Sequence, residues 1–528
     1  LFLALACGGL GVLGARRVVG ASGAPGKAAQ DDPGYRGTPG PPARRPNIVF
    51  ILTDDLDLQL QSLDFMPRVK ALLADRGTTF SHFFVPLSLC CPSRATILLG
   101  QYPHNHGIFT NDPPDGGFDR FRSLGHERMT FAPALQAAGY RTALAGKYMN
   151  GYPDAADRTY IPPGWTEWHS PSNDDAYGQF NYEMNDRGTL AEFGEAPTDY
   201  LTDVLRARSN HFLRDSKDLP QPFFLYVAPY APHKPATPAP RHANLFKNAR
   251  VPRTPSFNEA DVSDKPSQIR DLPPLNADDI AYLDDLYRLR LQSLQAVDDL
   301  VAKIVETLTA TNQLDNTYIV FTSDNGFHMG QHRLLASKYT AYEEDIRVPL
   351  IIRGPGVPAG RVIDELASTV DLAPTFAQLT GAVLLTPPDG RSLVPLWKSP
   401  GPPAPGTWRQ AILVEQPQLP PTGESEGATT GPRTGHAGVL EPPEDGVSPR
   451  AGVFQSSPLI ALRTRGFKYV ELQNGEREYY DLAADPYELQ NLAAHLDPAR
   501  QARLAQRLKV LSTCAGVGCR AADSLPPP

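Results

Sequence analysis

Short, almost uninterrupted apolar runs punctuate the first two thirds of the chain, and each ends in polar residues. Asn47 to Leu52 runs into Thr53-Asp54-Asp55, and Tyr318 to Thr322 runs into Ser323-Asp324-Asn325-Gly326. Tyr140 to Ala145 leads to Gly146-Lys147, and Phe223 to Ala228 leads to Pro232-His233. Runs of this length without alternation suit strands buried on both faces of a parallel sheet. Between them the period changes to that of a helix. Val69, Leu72 and Leu73 mark one over 66–76 before Gly77, and a stripe of Leu283, Leu286, Leu289, Leu294, Val297, Leu300, Val301, Ile304 and Leu308 marks another over 283–308. This alternation predicts an α/β fold with a mostly parallel mixed sheet between helices.

The ends of the chain read differently. Leu1 to Ala15 is apolar and small, too short to span a bilayer, and residues 1–24 resemble a secretory signal segment. Residues 25–45 are rich in Gly, Pro and Ala and read as a flexible linker. Residues 46–405 then form the large domain. Residues 406–528 form a smaller C-terminal domain, with strands at Arg409 to Glu415 and Leu459 to Leu472 in an antiparallel sheet. The stretch between them, about 416–457, is dense in Pro, Gly, Glu and Ser and reads as a mobile loop.

Chemistry gathers at the carboxyl ends of the buried strands, where open α/β sheets bind ligands. Asp54 and Asp55 after one strand, with Asp324 and Asn325 after another, make an all-oxygen set that suits a hard cation and not Zn²⁺. Ca²⁺ is favoured over Mg²⁺, because several carboxylates come straight from the protein. Taken singly, each pair would pass for a turn or a helix cap. The segment Leu89-Cys90-Cys91-Pro92-Ser93-Arg94 places a cysteine at the mouth of a helix, with Pro92 in the first turn. Arg94, four residues on, shares a helix face with Cys90. A thiol at a helix start beside a guanidinium points to chemistry on a tetrahedral oxyanion.

Cys90-x-Pro92-Ser93-Arg94 matches the maturation signature of type I sulfatases, in which the first cysteine is oxidised to formylglycine, and the chain resembles that family. The family typically shows an Asp-Asp after its first strand, an Asp-Asn-Gly after a later one, a lysine in a Gly-Lys element, a histidine after an intervening strand and a second lysine downstream. Here these fall on Asp54-Asp55, Asp324-Asn325-Gly326, Lys147, His233 and Lys338. The runs Tyr342 to Leu350 and Tyr480 to Leu492 are also similar to the family. The resemblance implies an alkaline-phosphatase-like large domain and catalytic roles for Cys90, Arg94, Lys147, His233 and Lys338. It also implies a divalent cation held by Asp54, Asp55, Asp324, Asn325 and the modified Cys90. One departure stands out: many sulfatases have Lys-x-His where this chain has Lys147-Tyr148-Met149. Asn150 could supply a hydrogen bond in that histidine's place. The Gly-Lys-Tyr-x-Asn form, the Cys-Cys-Pro-Ser-Arg variant, Tyr102 to His106 and the C-terminal Cys-x₄-Cys are similar to the N-acetylglucosamine-6-sulfatase and arylsulfatase branch.

A net charge of −8 argues against nucleic acid as a partner and gives no general attraction to a polyanion, so a sulfated polymer would need a local basic pocket. The expected substrate is a sulfated sugar such as N-acetylglucosamine 6-sulfate in a glycosaminoglycan, or an aryl sulfate. A formylglycine-generating enzyme is the expected maturation partner. A phosphomonoester or phosphonate hydrolase of the same superfamily, and a non-catalytic binder of sulfated glycans, are the alternatives. Of five cysteines, Cys7 would leave with the signal segment, Cys514 and Cys519 are expected to pair as a disulfide, and Cys91 is left over. No integral span is expected, and the expected residence is the secretory pathway: extracellular, periplasmic or lysosomal. His104, His106, His328 and His332 are expected to pack or support, not to catalyse.

Overall fold

The computed structural model describes residues 45–153, 157–404, 406–416 and 457–528. The expected signal segment, nearly all of the linker, Cys7 and the body of the 416–457 loop lie outside the described residues. Among the described residues sixteen strands occur in chain order: β1 (Asn47–Thr53), β2 (Thr78–Phe80), β3 (Phe83–Phe84), β4 (Arg141–Gly146), β5 (Glu167–Pro171), β6 (Glu183–Asp186), β7 (Thr189–Glu192), β8 (Phe223–Ala228), β9 (Thr317–Ser323), β10 (Leu350–Arg353), β11 (Arg361–Ile363), β12 (Ala367–Ser368), β13 (Ile412–Gln416), β14 (Leu459–Arg463), β15 (Phe467–Leu472) and β16 (Arg477–Asp481). Ten form one sheet in the order β11-β2-β10-β9-β1-β8-β4-β5-β6-β7, and β13 to β16 form a separate antiparallel sheet.

The four apolar runs become neighbours at the sheet's centre. β4, β8, β1 and β9 lie side by side and parallel, with Thr53 paired to Ser323 and Gly146 to Ala228. That register brings the four polar strand ends to one edge. Both faces of β1 are buried: Ile48, Phe50 and Leu52 join one core with the helices Cys90–Leu99, Phe131–Ala137 and Leu372–Thr380, while Val49 and Ile51 join a second with the helices Leu201–Asp215 and Ala277–Ala310. A strand between two apolar layers has no solvated face, which is why these sequences do not alternate.

The helical expectations hold in place and shift in detail. The long helix begins at Ala277, where Asn276 and Asp279 form a reciprocal capping box, and it ends at Ala310. Leu289 does not join its buried stripe; it is exposed, and Arg290 turns inward instead. The expected helix over 66–76 has α geometry only over Pro67–Val69 and widens to a π turn over Lys70–Ala74.

In the small sheet, the run Leu459 to Leu472 is two strands joined at Thr464–Gly466, and the strand expected from Arg409 begins only at Ile412. The side chain of Arg409 turns into the interior, where Nε meets Asp523 at 2.7 Å and Nη2 meets Asp371 at 2.8 Å. The helix Pro498–Leu511 closes this sheet's core, and Cys514 and Cys519 are disulfide-bonded beside it. Among the described residues, no helix is long and apolar enough to cross a membrane.

Candidate active site

Every residue singled out at the strand ends, together with the Cys90 helix, converges on one buried cluster. Asp54 and Asp55 leave β1, Asp324 and Asn325 leave β9, Lys147 follows β4, and His233 follows β8. The turns interlock through the backbone: the Asp324 amide donates to the Thr53 carbonyl (3.1 Å) and the Lys147 amide to the Ala228 carbonyl (2.8 Å). Gly146 sits at φ 119°, and a Cβ there would collide with the Ala228 carbonyl, so only glycine lets β4 close on β8 before Lys147.

Cys90 opens the helix Cys90–Leu99, with Leu89 extended before it and Pro92 in its first turn. The Cys91 amide donates to Asn111 Oδ1 at 2.9 Å, and the Ser93 hydroxyl donates to the Asp324 carbonyl. Cys90 Sγ lies 3.3 Å from Asp54 Oδ1, 3.9 Å from Asp55 Oδ1 and 2.9 Å from Lys338 Nζ. The adjacent Cys91 faces the core, 3.9 Å from Met149 Sδ, and burial pushes its thiol up to about 12. One helix start thus holds one thiol among charges and one that is inert.

Three cations and three carboxylates interleave around Cys90, all shielded from water. Arg94 places Nε and Nη2 on Asp324 Oδ2 (2.9 and 2.8 Å), with Nη2 3.8 Å from Asp54, and donates Nη1 to the Lys147 carbonyl (2.9 Å). Lys147 Nζ meets Asp54 Oδ2 at 2.7 Å, and Lys338 Nζ meets Asp55 Oδ1 at 2.8 Å. Burial alone would raise Asp54, but Lys147, His233, Arg94 and Lys338 outweigh it and hold that carboxyl well below the usual range. Asp324 goes the other way, up to about 6, because burial and the Asp54 charge outweigh Arg94 and Lys147. Burial opposes the charge on Arg94 and Lys147, yet their carboxylate partners keep both well above their ordinary values.

His233 shares its Nδ1 proton with the Lys234 carbonyl (2.7 Å), which directs Nε2 toward Asp55 Oδ2, 3.6 Å away. Ligand atoms of Asp54, Asp55, Cys90 and His233 all lie within 4.8 Å of one another. Asn325 donates its amide to Asp55 Oδ1 (2.7 Å) and to the Gly326 carbonyl (2.8 Å), leaving its side-chain oxygen buried with no hydrogen bond; Asp55 Oδ2 is likewise buried without one. Two buried acceptor oxygens of this kind, beside two further carboxylates, fit a hard divalent cation.

Met149 packs in the core, and the side-chain amide of the following Asn150 lies 3.5 Å from the Tyr177 hydroxyl. Tyr177 is a residue the sequence pattern missed. Its ring centroid lies 5.1 Å from Lys147 Nζ and 4.7 Å from the His233 ring. The four further histidines singled out in the sequence have their partners outside this cluster. His104 bridges Glu415 and the Cys514 carbonyl, His106 meets Thr96, His328 meets Asp345, and His332 meets Glu259.

The sulfatase family model matches residues 46–382. An N-acetylglucosamine-6-sulfatase of Capra hircus is 38% identical over 501 residues, covering 90% of this chain and 85% of the relative. An arylsulfatase of Volvox carteri is 33% identical over 528 residues, covering 90% and 76%. A solved protein in complex with its substrate D-glucosamine-2-N,6-O-disulfate superposes with a TM-score of 0.68 at 25% identity, covering 88% of this chain and 97% of that one. With a buried cysteine, paired strand-end carboxylates and a ring of cations on this sheet, the chain belongs to the sulfatase family and is a sulfuric ester hydrolase.

Proposed function

We propose that the chain removes sulfate from a sulfated amino sugar, such as N-acetylglucosamine 6-sulfate in a glycosaminoglycan, using Cys90 converted to formylglycine and a divalent cation, Ca²⁺ before Mg²⁺. The observation that carries the reading is the position of Cys90 at a helix start, within 4 Å of Asp54, Asp55 and Lys338. The 38% identity to an N-acetylglucosamine-6-sulfatase and the glucosamine disulfate bound by the solved relative support the sugar. Named relatives include an extracellular sulfatase homologue, which supports residence in the secretory pathway: extracellular, periplasmic or lysosomal.

As formylglycine hydrate, Cys90 supplies one hydroxyl to attack sulfur and displace the alcohol, and a second whose deprotonation lets the aldehyde re-form and expel sulfate. Asp54, Asp55, Asp324 and Asn325 would hold the cation, which would supply Lewis-acid chemistry at the site. Lys147 and Lys338 flank the site from opposite carboxylates and bind the sulfuryl oxygens as charge builds. Buried as they are, their hold is far stronger than in water. Arg94 keeps Asp324 in place. His233 Nε2 faces the cluster and donates a proton to the departing alcohol oxygen.

Peptide mass spectrometry across Cys90 on secreted protein, paired with turnover of matched sulfate and phosphate esters with and without EDTA, tests the reading. It expects a mass loss of about 18 Da at Cys90, preference for sulfate and loss of turnover with chelator. An unmodified thiol in active protein refutes it, and preference for the phosphate ester moves the activity to phosphomonoester hydrolysis.

A further inference from the structure

The helix Ala277–Ala310 carries a charge where its apolar stripe calls for a leucine. Leu286 and Leu294 are buried, and the position four residues from each is Arg290, which is wholly buried. A guanidinium does not give up its proton in a protein, so one placed here needs partners on several sides. It finds them in three loops that carry site residues. Nη2 donates to the Asp55 backbone carbonyl at 2.6 Å and lies 3.4 Å from Asp57 Oδ2. Nη1 donates to the Pro232 carbonyl at 3.2 Å, one residue before His233. Cζ of the guanidinium lies over the ring of Phe327, two residues after Asn325, 4.4 Å from its centroid.

The contact with Asp55 falls where the backbone is least at ease. Asp55 sits at φ 65°, in the left-handed region that few residues with a side chain occupy. A short charge-assisted bond to its carbonyl fixes that turn, and the turn sets where the carboxylate points. Asp57 steadies the arginine from the other side, accepting the Ser62 hydroxyl (2.6 Å) and the Leu60 amide (3.1 Å) as well.

We propose that Arg290 is a positioning residue for the cation-binding cluster. Its planar fork holds the carbonyls of Asp55 and Pro232 at a set separation while its Cζ lies over Phe327, so that Asp55 and Asn325 converge on Cys90. The inference rests on the cation reading given under Proposed function. Arg290 touches none of the ligand side chains and acts through the backbone beneath them. Lysine would keep the charge but not the fork, and one ammonium on a flexible stem does not span both carbonyls.

Ca²⁺ titrated calorimetrically into metal-stripped full chain, for wild type, Arg290→Lys and Asp57→Asn, tests this, alongside the Ca²⁺ dependence of aryl sulfate turnover. Arg290→Lys is expected to weaken Ca²⁺ binding about 10- to 100-fold, the range for residues supporting metal ligands. Asp57→Asn should weaken it several-fold in the same direction. Saturating Ca²⁺ should restore kcat to within about threefold of wild type, because only the placing of the ligands has changed. If Arg290→Lys does not yield folded protein, as judged by its melting in EDTA, Asp57→Asn carries the same test. Ca²⁺ affinity unchanged in the folded variants, or a loss of kcat that saturating Ca²⁺ does not restore, overturns the role of Arg290. Wild type that binds neither Ca²⁺ nor Mg²⁺ overturns the cation reading itself.

Discussion

Replacing Lys147 with methionine tests whether the buried cations work on the sulfuryl group or only balance charge. The side chains are of similar length, so Lys147→Met removes the ammonium with little change in packing. That side chain is 1% exposed, with its ammonium 2.7 Å from Asp54 and over the rings of Tyr177 and Tyr230 at 5.1 and 5.9 Å. Burial keeps bulk water away from it, so its effect on charge developing at sulfur is stronger than it would be in solution. Loss of one preorganised donor of this kind costs about 10²–10³ in kcat, equivalent to about 2.7–4 kcal/mol. The assay is steady-state turnover of an aryl sulfate at saturating Ca²⁺, with peptide mass spectrometry checking that Cys90 is converted equally in both proteins. The expectation is a fall in kcat that exceeds any rise in KM, since the contact strengthens as charge builds. If Lys147 and Lys338 hold the same group, the double substitution should cost less than the product of the two single losses. A Lys147→Met protein, equally matured, with kcat within threefold of wild type would refute the electrostatic role.

Three further outcomes follow from the fold. Gly146→Ala puts a Cβ onto the Ala228 carbonyl at a φ of 119°; it should destabilise by about 1–3 kcal/mol and lower kcat by displacing Lys147, measured by urea midpoint and turnover. Arg409→Met leaves the buried carboxylate of Asp371 without its ion partner, while Asp523 keeps Arg391, so the urea midpoint should fall by the equivalent of about 3–5 kcal/mol. Glu344 is buried and its carboxyl is pushed up to about 8, by burial first and then by Glu488. The folded protein therefore keeps a proton that the unfolded chain has lost, and this group costs stability as pH rises from about 4.5 toward 8. Glu344→Gln should melt increasingly above wild type across that range, by up to about 1.4 kcal/mol per pH unit. A difference in melting temperature that stays flat with pH counts against this.

The strand ends were readable because a buried parallel strand must be apolar throughout, so an abrupt Asp-Asp or Asp-Asn-Gly has to lie at its edge. The same rule failed for β2, β6, β7 and β11, which are three or four residues long and not buried throughout. Their pairing comes from neighbouring strands and leaves little pattern in their own residues. The Leu459 to Leu472 run showed its apolar content but not the turn at Thr464–Gly466. Arg290 did leave a trace, a charge at the i+4 position of a leucine stripe, but only the folded chain names its partners.

Taken alone, the amino-acid order determined the sheet-and-helix architecture, the residues at the four strand ends and the Cys90 motif with Arg94 on its helix face. These depend on local periodicity and fixed spacing, which are properties of adjacent residues. The tertiary structure decided the rest. It brought Asp55 and Asn325, 270 positions apart, to 2.7 Å, set the Cys90 thiol among cations while burying Cys91 in the core, and turned Arg290 toward three loops. Such choices follow from strand register and from the demand that each buried charge find a partner, and neither is written in any short stretch of chain.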